Sequence, residues 1–260
     1  MLEPSPGLSR ARNAGLRASS GDIVAFTDDD VEVHPDWTAR IASSMRDASV
    51  ASVTGLVLPA SLEQESEWVF ETTVGGFSRG YRVKHFDHEF FRAMRPWGVP
   101  VWLIGAGANM ALRRSALECV GGFDERLGAG AAGCSEDSEM WYRLLAAGYE
   151  CHYDPAVVVH HYHRASLADL RYQLRMYTRG HVTALLAQWQ RHGDWGNIRR
   201  VLLAMPAYYA RLLVRDALQG FRGPGSMLPP QASGAVAGIG YYFSHRGGHA
   251  LPTIAPRNVS

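Results

Sequence analysis

Cysteine is scarce in this chain of 260 residues: Cys119, Cys134 and Cys151 are all it holds. An odd number, without the short paired spacings of zinc ligands, excludes a disulfide framework and a thiolate metal site. It points to reduced thiols in a cytosolic compartment. No run of about 18 apolar residues occurs, so no membrane-spanning helix is expected. The first 20 residues include Pro4, Pro6, Arg10, Arg12 and Arg17 and no apolar h-region, so no signal peptide is expected. No internal repeat is visible, and the aromatics are not interleaved with basic residues as in the familiar nucleic-acid modules, so no nucleic-acid partner is expected.

What is present is ordinary in bulk and uneven in placement. Hydrophobic residues make up 47% and charged residues 20%, as in soluble globular proteins, and the length suffices for one large core or two small ones. Residues 1–159 hold 14 Lys+Arg against 22 Asp+Glu, a net of −8, while residues 160–260 hold 12 Arg against 3 Asp, a net of +9. An acidic front suits a cation-binding part, and a basic rear suits anions such as phosphates or lipid headgroups.

The acidic front centres on Gly21–Asp30. Ile23–Thr27 reads as a buried strand, and Asp28-Asp29-Asp30 follows it without a break. In extended geometry Asp28 and Asp30 point to one side, where they can share a divalent cation or divide a cation and a sugar hydroxyl. A solvated acidic loop is the plain alternative. Pro35-Asp36 starts a helix with Trp37, Ile41 and Met45 on one face, and Ala51–Leu58 reads as a strand. Residues 60–99 are aromatic-rich and weakly patterned, either a functional insertion or a small satellite core. Val101–Ile104 reads as a strand, and Gly105-Ala106-Gly107-Ala108-Asn109 as a small-residue stretch that lets backbone approach a ligand. Met110–Leu112 extends the strand character, and Leu127–Gly133 reads as a mobile Gly/Ala loop.

Ser135 is the expected N-cap of a helix opening on Glu136-Asp137, acids that suit its positive end or serve as capping alone. Tyr149–Tyr153 and Ala156–Val159 read as strands around Pro155, running into His160-His161-Tyr162-His163. A helix follows from Leu167, then a second from about Asn197 to Gly220, kinked by Pro206. That helix mixes leucines with arginines, as a helix on an anionic membrane or one packed on the domain does. The residues from Pro224 read as loosely structured.

The order of these motifs is more specific than any one of them. Gly7–Gly15, Gly21–Asp30, Gly105–Arg114, Gly121–Glu125, Glu136–Leu144 and Asp154–His160 together resemble a family 2 glycosyltransferase over roughly residues 3–165. The resemblance implies a GT-A, Rossmann-like α/β fold: a mixed sheet flanked by helices over residues 1–165, with a basic helical region over 166–260. It implies a metal-dependent inverting transfer of a sugar from a nucleotide-sugar donor to a hydroxyl acceptor, in polysaccharide or glycolipid synthesis at the inner face of the cell membrane. Asp30 would be the main ligand of Mg²⁺ or Mn²⁺, with Asp28 in support and His160 completing the set; His163 is the fallback. Asp137 would be the general base and Glu136 its helper. Arg12, Asn13, Asp28 and Asp29 would border the donor, and Asn109 and Gly107 the acceptor side. Family members begin with a strand–helix–strand–helix segment of roughly 80 to 100 residues that this sequence does not carry. The sheet is therefore expected to lack its first strands and leave an edge uncovered, with a misplaced start as the expected cause, and a missing half supplied by another chain or an inactive, partner- or membrane-binding remnant as the alternatives.

Overall fold

The computed structural model describes residues 3–218, 227–247 and 250–254. Helix α1 (Leu8–Ala18) leads into strand β1 (Ile23–Thr27), then β2 (Val31–Val33), helix α2 (Trp37–Ser44) and strand β3 (Val50–Pro59). Helix α3 (Glu65–Val69), strand β4 (Lys84–Phe86) and helix α4 (His88–Met94) make up much of the aromatic-rich stretch. Strand β5 (Asn109–Arg113), helix α5 (Arg114–Val120), helix α6 (Glu136–Ala146) and strand β6 (Glu150–His161) complete the α/β part. Helices α7 (Leu167–His192), α8 (Trp195–Arg199), α9 (Met205–Leu218) and α10 (Leu228–His245) follow.

The sheet runs β1-β5-β3-β6-β2, with β4 on the first half of β6. β3 and β6 are parallel, and β5 is antiparallel to both β1 and β3. β1, β3 and β6 therefore end at one edge, where β5 begins. Two cores cover the two faces. One gathers Met110, Leu112, Trp141, Leu144, Cys151 and Tyr153 under α5 and α6. The other gathers Trp37, Ile41, Met45, Val53, Val57, Val157 and Val159 under α2, so the expected α2 face is the buried one. Fully burying each such side chain stabilises by about 1.5–3 kcal/mol.

Several expectations are corrected. β1 is an edge strand rather than a buried one: among the described residues it pairs only with β5, and Ala25 and Thr27 are exposed. Val101–Leu103 is a 3-10 turn, not a strand; Pro100 and Gly105 bracket it, and the Ile104 carbonyl accepts from the Thr54 hydroxyl instead of from a ladder. The two strands around Pro155 are one, β6, because a bulge absorbs the proline. Asp154 lies opposite Gly55 and Val158 opposite Leu56, so residues 155–157 are extra. An odd insertion switches the faces, which sends Cys151 and Tyr153 into one core and Val157 and Val159 into the other. Gly55 is required there, since a Cβ would sit 1.9 Å from the Val157 carbonyl oxygen.

The stretch expected to be mobile is packed. Leu127 and Ala132 are fully buried, and the Ala129 carbonyl accepts from Leu8 N–H at 2.9 Å. In the rear of the chain, a π-helical segment over Arg200–Ala204 joins α8 to α9 next to Pro206, where the proline withholds a helix donor. Gly220 and Pro224 lie outside the described residues, but much of the stretch after them is the helix α10 rather than loose chain. Its Gly234 and Gly238 lie on α7: a Cβ on either would come within 2.3 Å and 2.6 Å of the Arg175 and Arg179 carbonyl oxygens. That backbone contact has no signature in hydrophobic periodicity. Val69 and Phe70 share a small core with Leu170 and Leu174 of α7, so the aromatic-rich stretch is partly a satellite core and partly, as shown below, a wall of the site.

Candidate active site

A cleft of about 1720 Å³ opens at the edge where the parallel strands end, the position where open α/β sheets bind ligands. Asp28 and Asp30 arrive on the turn after β1, and Gly107 sits just before β5. Glu136 and Asp137 open α6, and Arg12 reaches in from α1.

Arg12 is the organiser. Its side chain is 6% exposed. It donates to Glu136 Oε1 at 2.7 Å, to Asp28 Oδ1 at 3.2 Å and to the Gly107 carbonyl at 3.2 Å. The faces of Phe26 and Phe123 lie 5.8 and 5.6 Å from its guanidinium. One buried cation thus ties three elements together, and charge-assisted bonds of this kind are the strong ones. Burial pushes the Glu136 carboxyl up to about 7 despite Arg12, with Asp137 adding to the rise. Glu136 Oε2 is buried and has no hydrogen-bond partner. Burial also raises Asp28, against the pull of Arg12.

Asp137 is held by backbone. Its Oδ2 accepts from Gly107 N–H at 2.8 Å and its Oδ1 from Ser138 N–H at 2.6 Å. Each carboxylate oxygen keeps a further lone pair. The residue before this pair, Ser135, occupies the N-cap position but makes no capping bond. Its φ of 71° is left-handed, the one such case among the described non-glycine residues. Strain of this kind, of order 1–3 kcal/mol, collects at functional sites, and here it aims α6 into the cleft.

On the other side of Asp28, His161 Nε2 lies 3.4 Å from Asp30 Oδ1, and Arg164 lies 3.9 Å from Asp30 Oδ2. Ligand atoms of Asp28, Asp30 and His161 all fall within 4.8 Å of one another. Burial pushes His161 down, towards the neutral ring, and its Nδ1 is buried without a partner. Both shifts come first from burial, which disfavours the charged form of each group, in a pocket where oxygen and nitrogen lone pairs converge. Two carboxylates and an imidazole fit a divalent cation such as Mn²⁺.

Not every expected residue is in the cleft. His161 replaces His160: neighbours on a strand face opposite sides, and the bulge in β6 set which of the two turns inwards. His163 does line the cleft but is engaged by Glu71 Oε1 at 2.8 Å. Asp29 is exposed and outside the lining. Asn13 is structural, bonded through both ends of its amide to Phe123 N–H and C=O at 2.8 and 2.9 Å. Asn109 is structural too. It donates to the Leu56 and Val157 carbonyls at 3.2 and 2.9 Å and accepts from Trp37 Nε1 at 2.9 Å. It bridges β3, β6 and α2 rather than flooring an acceptor. Arg79, Tyr177 and Arg200 line the cleft without having been anticipated. Arg79 sits in the aromatic-rich stretch and donates to the Trp102 carbonyl at 3.0 Å.

Comparisons with known proteins agree on a family. The description "Glycosyl transferase family group 2" matches residues 23–242. The chain is 30% identical over 169 residues to a pre-mycofactocin glycosyltransferase of Mycobacterium tuberculosis (strain ATCC 25618 / H37Rv), covering 64% of this chain and 32% of that protein. It is 28% identical over 193 residues to succinoglycan biosynthesis protein ExoM of Rhizobium meliloti (strain 1021), covering 73% and 56%. The chain thus matches between about a third and about half of the length of these relatives. Among solved structures, mannosyltransferase PcManGT from Pyrobaculum calidifontis, in complex with GDP-Man and Mn²⁺, aligns with a TM-score of 0.55 at 20% identity. That alignment covers 90% of this chain and 66% of that one, and it is a likeness of fold.

Proposed function

The chain belongs to glycosyl transferase family group 2 and has a GT-A-like fold, and from that premise we propose that it is a metal-dependent inverting glycosyltransferase using a nucleotide-sugar donor and a hydroxyl acceptor. The observation that carries the reading is the single cleft into which Asp28, Asp30, His161 and Asp137 converge, with Arg12 bonded to both sides of it. Asp28, Asp30 and His161 would hold the cation, Mn²⁺ or Mg²⁺, which when bound supplies charge neutralisation for a diphosphate leaving group. The Mn²⁺ and GDP-Man in the structural neighbour support this choice.

Asp137 takes the proton from the acceptor hydroxyl, held in place by the two backbone donors. A base and a leaving-group site on different elements of one cleft suit a single displacement. Glu136 acts by holding Arg12, not by touching the acceptor. Arg12 in turn holds Asp28 in place at the cation site. The expected test is Asp137→Asn, which keeps donor binding and loses transfer by about 10²–10⁴-fold, the usual worth of a general base. An Asp137→Asn protein that still transfers at the wild-type rate refutes the assignment.

The acceptor we propose is a growing polysaccharide or a lipid-linked glycan at the inner face of the cell membrane, in line with the succinoglycan biosynthesis relative. On this reading residues 1–165 carry the chemistry, and the helices of 166–260 wall the cleft and meet the membrane. Leu202, Leu203, Leu213 and Val214 are exposed on a helical run that also carries Arg199, Arg211 and Arg215, a composition suited to an anionic bilayer. Replacing Leu213 and Val214 by Glu is expected to abolish sedimentation with anionic vesicles; unchanged sedimentation places the contact elsewhere.

A further inference from the structure

Away from the cleft, a second set of ligand atoms converges where β4 lies along β6. His85 and His152 are directly opposite each other in this antiparallel pair, and Glu150 is two residues before His152, hence on the same face. His85 Nδ1 is 3.0 Å from His152 Nε2, and that same Nε2 is 2.9 Å from Glu150 Oε2. The three ligand atoms lie within 4.8 Å of one another. Among the described residues this cluster and the Asp28–Asp30–His161 cluster are the two of this kind.

Proton counting makes the arrangement uncomfortable without a cation. His152 Nε2 carries at most one hydrogen. If that hydrogen goes to Glu150, His85 Nδ1 is left with a share of a split bond. If His85 donates to Nε2 instead, the Glu150 carboxylate faces a nitrogen lone pair at 2.9 Å. A metal ion serves all three lone pairs at once. Tetrahedral ligands about 2.0–2.1 Å from zinc stand about 3.3 Å apart, so the contacts have to open by only a few tenths of an ångström. Two imidazoles and one carboxylate are the donor set of a borderline ion such as Zn²⁺, whereas the carboxylate-rich cleft suits a harder one.

We infer that His85, Glu150 and His152 form a Zn²⁺ site, separate from the cleft, that clips β4 to β6. β4 is three residues long, and the chain before it forms part of the cleft wall through Thr72, Phe77 and Arg79. Tyr153, the neighbour of His152, donates its hydroxyl to the Gly80 carbonyl at 2.8 Å and accepts from Arg79 N–H at 3.3 Å. The ion therefore fixes the strand from which that wall is suspended.

The test is a Zn²⁺ titration of the metal-stripped full chain against a chromophoric chelator, run in parallel with Co²⁺ and its visible absorption. Four proteins are compared: wild type, Asp30→Asn, His85→Ala and His152→Ala. His85 is exposed, so His85→Ala is expected to fold. The site predicts one Zn²⁺ that persists in Asp30→Asn, a Co²⁺ spectrum of tetrahedral intensity, and a rise in Tm with Zn²⁺. In His85→Ala and His152→Ala the affinity for the ion that persists in Asp30→Asn falls by more than the roughly 10–100-fold that loss of a merely supporting group costs, and the share of the Tm rise seen in Asp30→Asn disappears. Zn²⁺ binding that vanishes in Asp30→Asn, or that is unchanged in both histidine variants, overturns the inference.

Discussion

Glu136→Gln tests how the buried charge at the centre of the cleft is managed. Glu136 is 5% exposed, and its carboxyl is raised from an ordinary 4.5 to about 7, chiefly by burial. Between those two values the folded protein holds a proton that the unfolded chain has released. The folded state therefore binds more protons, and this group makes stability fall as pH rises. At 1.36 kcal/mol per unit of pKa, the span from 4.5 to about 7 corresponds to about 3 kcal/mol. Glutamine keeps the shape and cannot ionise. The attraction of Arg12 is already contained in the value of about 7, so the only further change is the exchange of a protonated carboxyl for an amide beside Arg12, an offset that does not vary with pH. The stability of Glu136→Gln relative to wild type should thus climb by about 3 kcal/mol from pH 4.5 to pH 8. Urea unfolding at four pH values across that range measures it. A difference that does not change with pH shows that Glu136 is ionised throughout as a plain partner of Arg12, and refutes the reasoning.

Burial pushes His181 down to about 3 and His192 to about 4. Both are neutral when folded and take up a proton near 6.5 when unfolded, so their contribution is lost as pH falls from 6.5 towards those values. Measured in the Glu136→Gln background, which removes the opposing slope of Glu136, Tm should drop below pH 6.5, and a flat profile counts against it. Asn109→Ala leaves the Leu56 and Val157 carbonyls and Trp37 Nε1 without their partner. It should cost at least about 3 kcal/mol while the folded fraction binds nucleotide normally; weakened nucleotide binding with full stability would return Asn109 to the cleft.

The residues that speak through local pattern were legible in the sequence. The Trp37–Ile41–Met45 face, the β3 strand, the Asp28/Asp30 pair and the Glu136–Asp137 helix start all stand where spacing and charge put them. Each depends on neighbours within a turn or a strand. What was not legible depends on distant chain. The choice of His161 over His160 follows from a bulge that Gly55 on another strand makes room for, and three successive valines before it hide the alternation. Asn13 and Asn109 look like ligand residues by type and motif, and only their far partners show them to be braces. Arg12 looked like one donor-side residue among several, and it is a hub because residues 16, 95 and 124 positions away meet on it. Helix α10 was missed because its contact is glycine on backbone, which leaves no apolar stripe.

The central claim is that a nucleotide diphosphate binds this cleft through a cation held by Asp28, Asp30 and His161. Calorimetric titration of a panel of nucleoside diphosphates, with and without Mn²⁺, into wild type, Asp30→Asn and Asp137→Asn tests it most directly. The account predicts saturable binding of one nucleotide that requires Mn²⁺, is lost in Asp30→Asn and is kept in Asp137→Asn. Binding that ignores Mn²⁺, or that survives Asp30→Asn unchanged, contradicts it.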